Sequence, residues 1–445
     1  MKWFERIRWG LLLLTVVGVT SCTQEDDDNL GPAPVRGEAD FTKYVAVGNS
    51  LTAGFADGGL YRESQLNSYP NMLAKQFGLV GGGTFVQPLF SADSANGSGY
   101  VRLIRLPQSP VELLTSLRQI APGAVRTTVN GRPLYSKFTG ANNNLGVPGI
   151  RMSDVLSPGY GSAQGNPYFE RLLPGTASTR TYLDYVGDNL NGATFFTCWM
   201  GNNDVLGYTT SGGVNAMTTS AVFTTNYTAL LNKLTENNRK GVVVGIPNTA
   251  AAPYFRTITI PLLLAQLNAS RPAGTPVIPA LVIQTAAGPR ASRDGDLLML
   301  PNALEYLKIG TTTAGTGQGP YGLSATNPLP TQFVLDSDEA AAAFNRLTEF
   351  NNLMKQQAEA KGLVFVDPNQ VLTQLGQTGG YLQDGVTYNL SFIQGGAVSL
   401  DGIHLTPAGY ALIANEIIKG INTKYKSTLP LLNTSTFNRV LLQAQ

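Results

Sequence analysis

The chain has one histidine, His404, in the run Asp401-Gly402-Ile403-His404-Leu405-Thr406-Pro407. Any step that needs an imidazole must use it. A carboxylate three positions earlier on the same short loop can reach the ring, fix its tautomer and stabilise the imidazolium. Such a base calls for a hydroxyl nucleophile. Ser50 is a candidate, in Val47-Gly48-Asn49-Ser50-Leu51-Thr52-Ala53-Gly54, where a hydrophobic strand runs into a Gly- and Asn-rich turn. In open parallel sheets ligands bind beyond the carboxyl ends of strands, so a serine there is exposed and its own N–H can face a developing oxyanion. Each run alone also fits a plainer role: a helix-capping serine, and a surface histidine beside a turn aspartate.

Four separated segments, taken together in chain order, resemble the SGNH (GDSL-type) hydrolase family. They are Gly48-Asn49-Ser50-Leu51, Asn144-Leu145-Gly146-Val147-Pro148-Gly149, Gly201-Asn202-Asn203-Asp204, and Asp401 to His404. The resemblance implies an α/β protein with a three-layer α/β/α, flavodoxin-like fold and a mostly parallel central sheet. It implies a serine carboxylester hydrolase, lipolytic or general, that works through an acyl-enzyme without metal or organic cofactor. Ser50 would be the nucleophile, His404 the general base and Asp401 its orienting group. Ser50 N–H, Gly149 N–H and the Asn203 side-chain amide would form the oxyanion hole. The expected substrate is an ester of an acyl lipid. An acetylated glycan is the alternative, and a glycan-binding surface lipoprotein without activity is the rival from another class. The chain departs from the family at Asn49, where aspartate is usual. Asparagine is nearly isosteric and still hydrogen-bonds, so the serine's role is expected to survive in a different local field.

Composition narrows the alternatives. Of 445 residues, 31 are Lys or Arg and 29 Asp or Glu. Without the first 21 residues, which hold Lys2, Arg6, Arg8 and Glu5, the charge balance is even. A nucleic-acid partner, which needs a basic face to displace counterions, is not expected. Two cysteines, Cys22 and Cys198, and one histidine cannot build a Cys/His zinc site or a disulfide framework. Cys198 lies in an apolar run and reads as a small core residue.

The first residues read as an address. Lys2, Arg6 and Arg8 precede the apolar run Leu11 to Val19, shorter than the ~20 residues that span a bilayer. Val19-Thr20-Ser21-Cys22 looks like a bacterial lipobox, which implies cleavage before Cys22 and acylation of its sulfur. The expected organisation is a leader over 1–21, an acidic lipid-anchored tether over 22–38 and a hydrolase domain over 39–445. The tether holds Glu25, Asp26, Asp27 and Asp28, which resemble the sorting signal of surface-exposed lipoproteins of Gram-negative bacteria. The expected location is the cell envelope, at the outer membrane.

The elements that must position Ser50 and His404 follow from pattern. Phe41 to Val47, Ala193 to Trp199, Val242 to Ile246 and Leu363 to Val366 read as buried strands. Tyr69 to Phe77 reads as a helix capped by Ser68, and Phe223 to Arg239 as an amphipathic one. Asp338 to Lys361 is predicted helical, with Phe344, Leu347, Met354 and Ala358 on one stripe and an Asp336/Glu339 capping box. Pro407 to Ile421 is predicted helical with Thr406 as its cap. Strands alternating with helices predict a parallel sheet covered on both faces. Residues 80–140 and 255–335 read as insertions. Ile258 to Leu267 and Leu297 to Leu300 within the second would be core or the wall of an acyl pocket.

Overall fold

The computed structural model describes residues 32–107, 112–312 and 318–440. The leader, Cys22 and the acidic run lie outside the described residues. From Pro34 onward the chain forms one compact unit.

Its centre is a parallel sheet built from strands β1 Tyr44–Gly48, β2 Phe195–Trp199, β3 Lys240–Val244 and β4 Val364–Val366, side by side in that order. Tyr44 pairs with Phe195, Phe195 with Lys240, and Val242 with Val364. A parallel bridge from Ala46 to Asn144 adds a short edge beyond β1. Counting that edge, the spatial order in sequence terms is 2-1-3-4-5, that of a flavodoxin-like sheet. The connections reverse direction between β1 and β2, and a ligand site is expected there.

Strand side chains alternate between faces, and each face has its own core. Tyr44, Ala46, Phe195, Trp199, Val242 and Val244 pack on one side against helices α1 Tyr69–Gly78 and α2 Pro407–Tyr425. Val45, Val47, Phe196, Cys198 and Val243 pack on the other side against α3 Ser220–Leu234 and α4 Ser337–Ala360. The result is three layers, α/β/α, and a buried Cys198 whose thiol desolvation pushes up to about 12.

Local signals mostly behave as expected. In α4 the Asp336 carboxylate accepts from the N–H groups of Asp338 and Glu339, both at 2.9 Å, and Glu339 returns a bond to the Asp336 N–H. Thr406 caps α2 by accepting from Gly409 N–H at 3.0 Å. Two expectations fail. Ser68 stands at the N-cap of α1 but its hydroxyl makes no capping bond; it donates to Gln87 Oε1, because a neighbouring loop offers a better buried acceptor. Phe344 is 52 % exposed, while Ala343, Leu347, Phe350, Met354 and Ala358 form the buried stripe of α4. At 3.6 residues per turn, position 343 lies on the line through 347, 350 and 354; position 344 is rotated off it.

The two insertions carry structure of their own. In 80–140, Tyr100–Leu103 pairs antiparallel with Leu117–Ile120, and Val125–Val129 with Arg132–Tyr135. In 255–335, Val282–Thr285 pairs with Gly288–Ala291. Ile258, Leu263, Leu298 and Leu300 pack with Ile283 and Leu329 in a small core, so these stretches are core. Residues 35–38, expected in the tether, belong to the fold. Val35 exchanges hydrogen bonds with Thr428, and Glu38 N–H donates to Tyr425 O at 2.7 Å.

Candidate active site

β1 delivers Ser50. After Gly48 the chain turns at once into a four-residue helix, Ser50–Ala53, with Asn49 at its cap. The Asn49 Oδ1 accepts from Leu51 N–H at 3.0 Å. Glycine is required before this turn: a Cβ on Gly48 would lie 1.9 Å from Thr52 Oγ1. The edge segment seats beside it through Val147 N–H, which donates to Gly48 O at 3.0 Å.

The second half of the site comes from the chain just before α2. An antiparallel bridge between Val398 and Leu405 closes a tight loop, and Ser399 N–H donates to His404 O at 2.8 Å. Within it the His404 Nδ1 and Asp401 Oδ2 lie 2.8 Å apart, and His404 Nε2 lies 2.9 Å from Ser50 Oγ. Serine, imidazole and carboxylate thus form one hydrogen-bonded line across 354 residues of sequence. The Phe55 ring packs against the imidazole, centroids 4.6 Å apart.

Asp401 is heavily supported. Burial alone would raise its pKa. The positive end of His404, its hydrogen bond, and the N–H groups of Ile403 and His404 outweigh burial and hold the carboxyl well below the usual carboxylate range. Its oxygens accept from Ile403 N–H and His404 N–H at 2.9 and 2.8 Å and from Gly58 N–H at 2.9 Å. An Asp401 ionised at neutral pH calls for a proton on Nδ1, the tautomer that leaves Nε2 free to accept from Ser50. An imidazole held this way can take a proton from a hydroxyl and return it to a leaving group.

β2 supplies the third part. Beyond Trp199 and Gly201 a helix, Asn202–Thr209, begins. Asn203 Nδ2 donates to Ile150 O at 2.9 Å, one residue past Gly149. Asp204 is buried and accepts from Met152 N–H with both oxygens, at 3.0 and 2.8 Å, which ties the 149–152 loop to the start of that helix. Gly149 has φ +84°, a conformation glycine adopts without strain. Neither Ser50 N–H nor Gly149 N–H donates within the described chain.

Ser50, Asn202, Asn203 and His404 open onto one apolar cavity. Its walls are Trp199, Leu206, Val371, Leu375, Leu412 and Ile413, and its narrow free volume is about 70 Å3. None of Ile258 to Leu267 or Leu297 to Leu300 lines it. A larger, more open surface cavity near Phe392 shares Leu375 with this one but is not lined by Ser50. Among the described residues no cluster of His, Cys, Asp and Glu is arranged to hold a metal ion. Nor is any helix there long and apolar enough to cross a membrane.

The nucleophile, base and carboxylate anticipated from sequence therefore meet. Asn203 and the loop after Gly149 stand beside them. Four contributors were not anticipated: Asp57, Gly58, Ser399 and Asn202. Asp57-Gly58 was legible as a turn dipeptide; its attachment to residues 399–401, about 343 positions on, was not.

Residues 44–417 match the family model described as GDSL-like lipase/acylhydrolase. The chain belongs to that family. Its members are ester hydrolases, and its fold is the SGNH fold described above. Among solved structures, the chain is similar to the extracellular lipase from Streptomyces rimosus at 12% identity, with a TM-score of 0.29 over 86% of this chain and 99% of that one. It is similar to phospholipase A1 from Streptomyces albidoflavus at 12% identity, with a TM-score of 0.25 over 86% and 100% of the two chains. No curated protein matches the chain at a significant level.

Proposed function

We propose that this GDSL-family protein is a serine carboxylester hydrolase in which Ser50 carries the acyl group. The supporting observation is the line from Ser50 Oγ to His404 Nε2 at 2.9 Å and from His404 Nδ1 to Asp401 Oδ2 at 2.8 Å. Ser50 Oγ attacks the ester carbonyl carbon as its proton passes to Nε2. The carbonyl oxygen becomes an oxyanion, met by Ser50 N–H, Gly149 N–H and Asn203 Nδ2. The tetrahedral centre collapses, the C–O bond to the alcohol breaks, and Nε2 returns the proton to the leaving oxygen. Water, deprotonated by the same nitrogen, then releases the acid and restores Ser50. The apolar cavity beside Ser50 favours an acyl chain over a sugar as the part of the substrate held there.

Two measurements test this reading. The wild type should react with a fluorophosphonate at one serine and hydrolyse p-nitrophenyl esters. Ser50→Ala should lose both, the rate by ~10⁴-fold or more. Turnover undiminished in Ser50→Ala would overturn it.

We further propose that Cys22 is acylated and anchors the protein to the cell envelope at the outer membrane, on the strength of the Val19-to-Cys22 pattern. Metabolic labelling with an alkynyl fatty acid should mark the wild type and not Cys22→Ser. Equal labelling of both would remove the anchor.

A further inference from the structure

Asn202 is 5 % exposed and lines the cavity beside Ser50. Its side-chain nitrogen is buried and has no hydrogen-bond partner. A buried donor left unpaired is costly, so the group is explained best by an acceptor that arrives from the cavity.

The orientation of this amide is dictated from the nucleophile turn. Leu51 N–H must be accepted by an oxygen, and Asn49 Oδ1 does so at 3.0 Å. That leaves Asn49 Nδ2 on the other side, where it donates to Asn202 Oδ1 at 2.7 Å. With its oxygen engaged, Asn202 has only Nδ2 to present elsewhere. A carboxylate at position 49 would reverse this. It would still accept from Leu51 N–H, but it has no donor, so it would draw the Asn202 NH₂ toward itself and turn the carbonyl toward the cavity. The identity of residue 49 thus sets the polarity of the buried amide that stands in that wall next to Asn203 in sequence.

We propose that the cavity receives the acyl group of the ester, and that Asn202 Nδ2–H, aimed by Asn49, selects acyl groups carrying an oxygen acceptor close to the carbonyl. This rests on the ester-hydrolase reading and goes past it by naming the substrate class. Most of the remaining wall is apolar, and Asn202 Nδ2 is the buried side-chain donor among the described lining residues that has no partner, so a purely hydrocarbon chain leaves this donor unmet. Because Asn202 is hydrogen-bonded to Asn49, the neighbour of Ser50, and lines the same narrow cavity as Ser50, the acceptor must sit within a few bonds of the reacting carbonyl. A hydroxy-, oxo- or alkoxy-substituted acyl group meets that requirement.

The test compares two p-nitrophenyl esters of equal length, the butanoate and the methoxyacetate, in which an ether oxygen replaces one methylene. Each kcat/KM is divided by the ester's rate of hydroxide hydrolysis at pH 8, which removes intrinsic reactivity. The wild type should favour the methoxyacetate at least about fivefold. Asn202→Leu, which removes the donor, should bring the ratio to about one. Asn49→Asp should bring it to one or below, because a carbonyl would then face the ether oxygen. A general effect of the new charge on rate cancels in the ratio. Thermal unfolding midpoints of both variants identify any that fails to fold, and the other then decides. A wild-type ratio near one, or a preference that both folded variants retain, overturns the proposal. Fluorophosphonate labelling of Ser50 in the same preparations separates the two levels. Labelling with an unaltered ratio removes only the selectivity, whereas no labelling and no turnover remove the ester-hydrolase reading and the selectivity with it.

Discussion

The backbone N–H of Gly58 donates to Asp401 Oδ2 at 2.9 Å, joining the loop after the Ser50 helix directly to the loop that carries His404. Two further bonds reinforce the junction. Asp57 Oδ1 accepts from Leu400 N–H at 2.9 Å, and Asp57 N–H donates to Ser399 Oγ at 3.0 Å. Ser399 Oγ lies 3.2 Å from Asp401 Oδ1, and Tyr61 OH donates to the second Asp57 oxygen at 2.7 Å. The two halves of the site are held in register by this turn as well as by the Ser50–His404 contact.

Asp57 therefore acts as a positioning residue. It adopts φ +54°, a left-handed conformation that asparagine also tolerates well. Asp57→Asn keeps an acceptor for Leu400 N–H and should stay within about threefold of wild-type kcat. Asp57→Ala loses the acceptor and should cost roughly 10–100-fold in kcat with little change in KM, as expected when alignment is impaired. Equal losses in both variants would assign the effect to charge.

Stability should report the same carboxyl. Burial pushes Asp57 up to about 6, against hydrogen bonds from Leu400 N–H and Tyr61 OH and together with the negative charges of Asp401 and Glu63. The folded state thus binds more protons than the unfolded chain between pH ~4 and ~6. The favourable contribution of Asp57 is complete below the lower value and is lost as pH rises through the upper one. Asp401, held low, works in the opposite sense: its contribution exists above the ordinary carboxylate range and vanishes on strong acidification. Urea unfolding of wild type and Asp57→Asn from pH 4 to 7.5 should show the variant gaining on the wild type by about 2 kcal/mol. A difference independent of pH would contradict this.

Asp401→Asn removes the charge that stabilises the imidazolium and allows the wrong tautomer. A fall in kcat of about 10²–10⁴ is expected, with a folded protein and intact substrate binding. Stopped-flow measurement of the acylation rate locates the loss in the step where His404 first takes a proton.

Asn203→Ala removes one of the three donors proposed for the oxyanion and also frees Ile150 O. Loss of one such donor costs ~10²–10³ in kcat at nearly constant KM. An increase confined to KM would place Asn203 in ground-state binding.

Sequence pattern alone determined much of this molecule. The β/α alternation, the apolar strands, the Asp336 capping box and the Thr406 cap are local properties, set by residue type and by 2- or 3.6-residue periodicity. The residues that could act as nucleophile, base and orienting carboxylate were also legible, because one histidine leaves no choice and Asp401 lies on its own loop. Tertiary structure decided the rest. Whether Ser50 and His404 meet depends on how β1 and α2 pack on one sheet. Which apolar stretches wall the cavity was settled by competition for burial: Leu297 to Leu300 went to an internal core, and Val371, Leu375 and Leu412 to the slot. Ser68 and Phe344 show the same limit, since a hydroxyl takes the best acceptor in reach and a helix buries whichever stripe meets a neighbour. The polarity of Asn202 is the clearest case. It follows from a hydrogen bond to Asn49, 153 residues away, and no local pattern encodes a contact that exists only once the chain has folded back on itself.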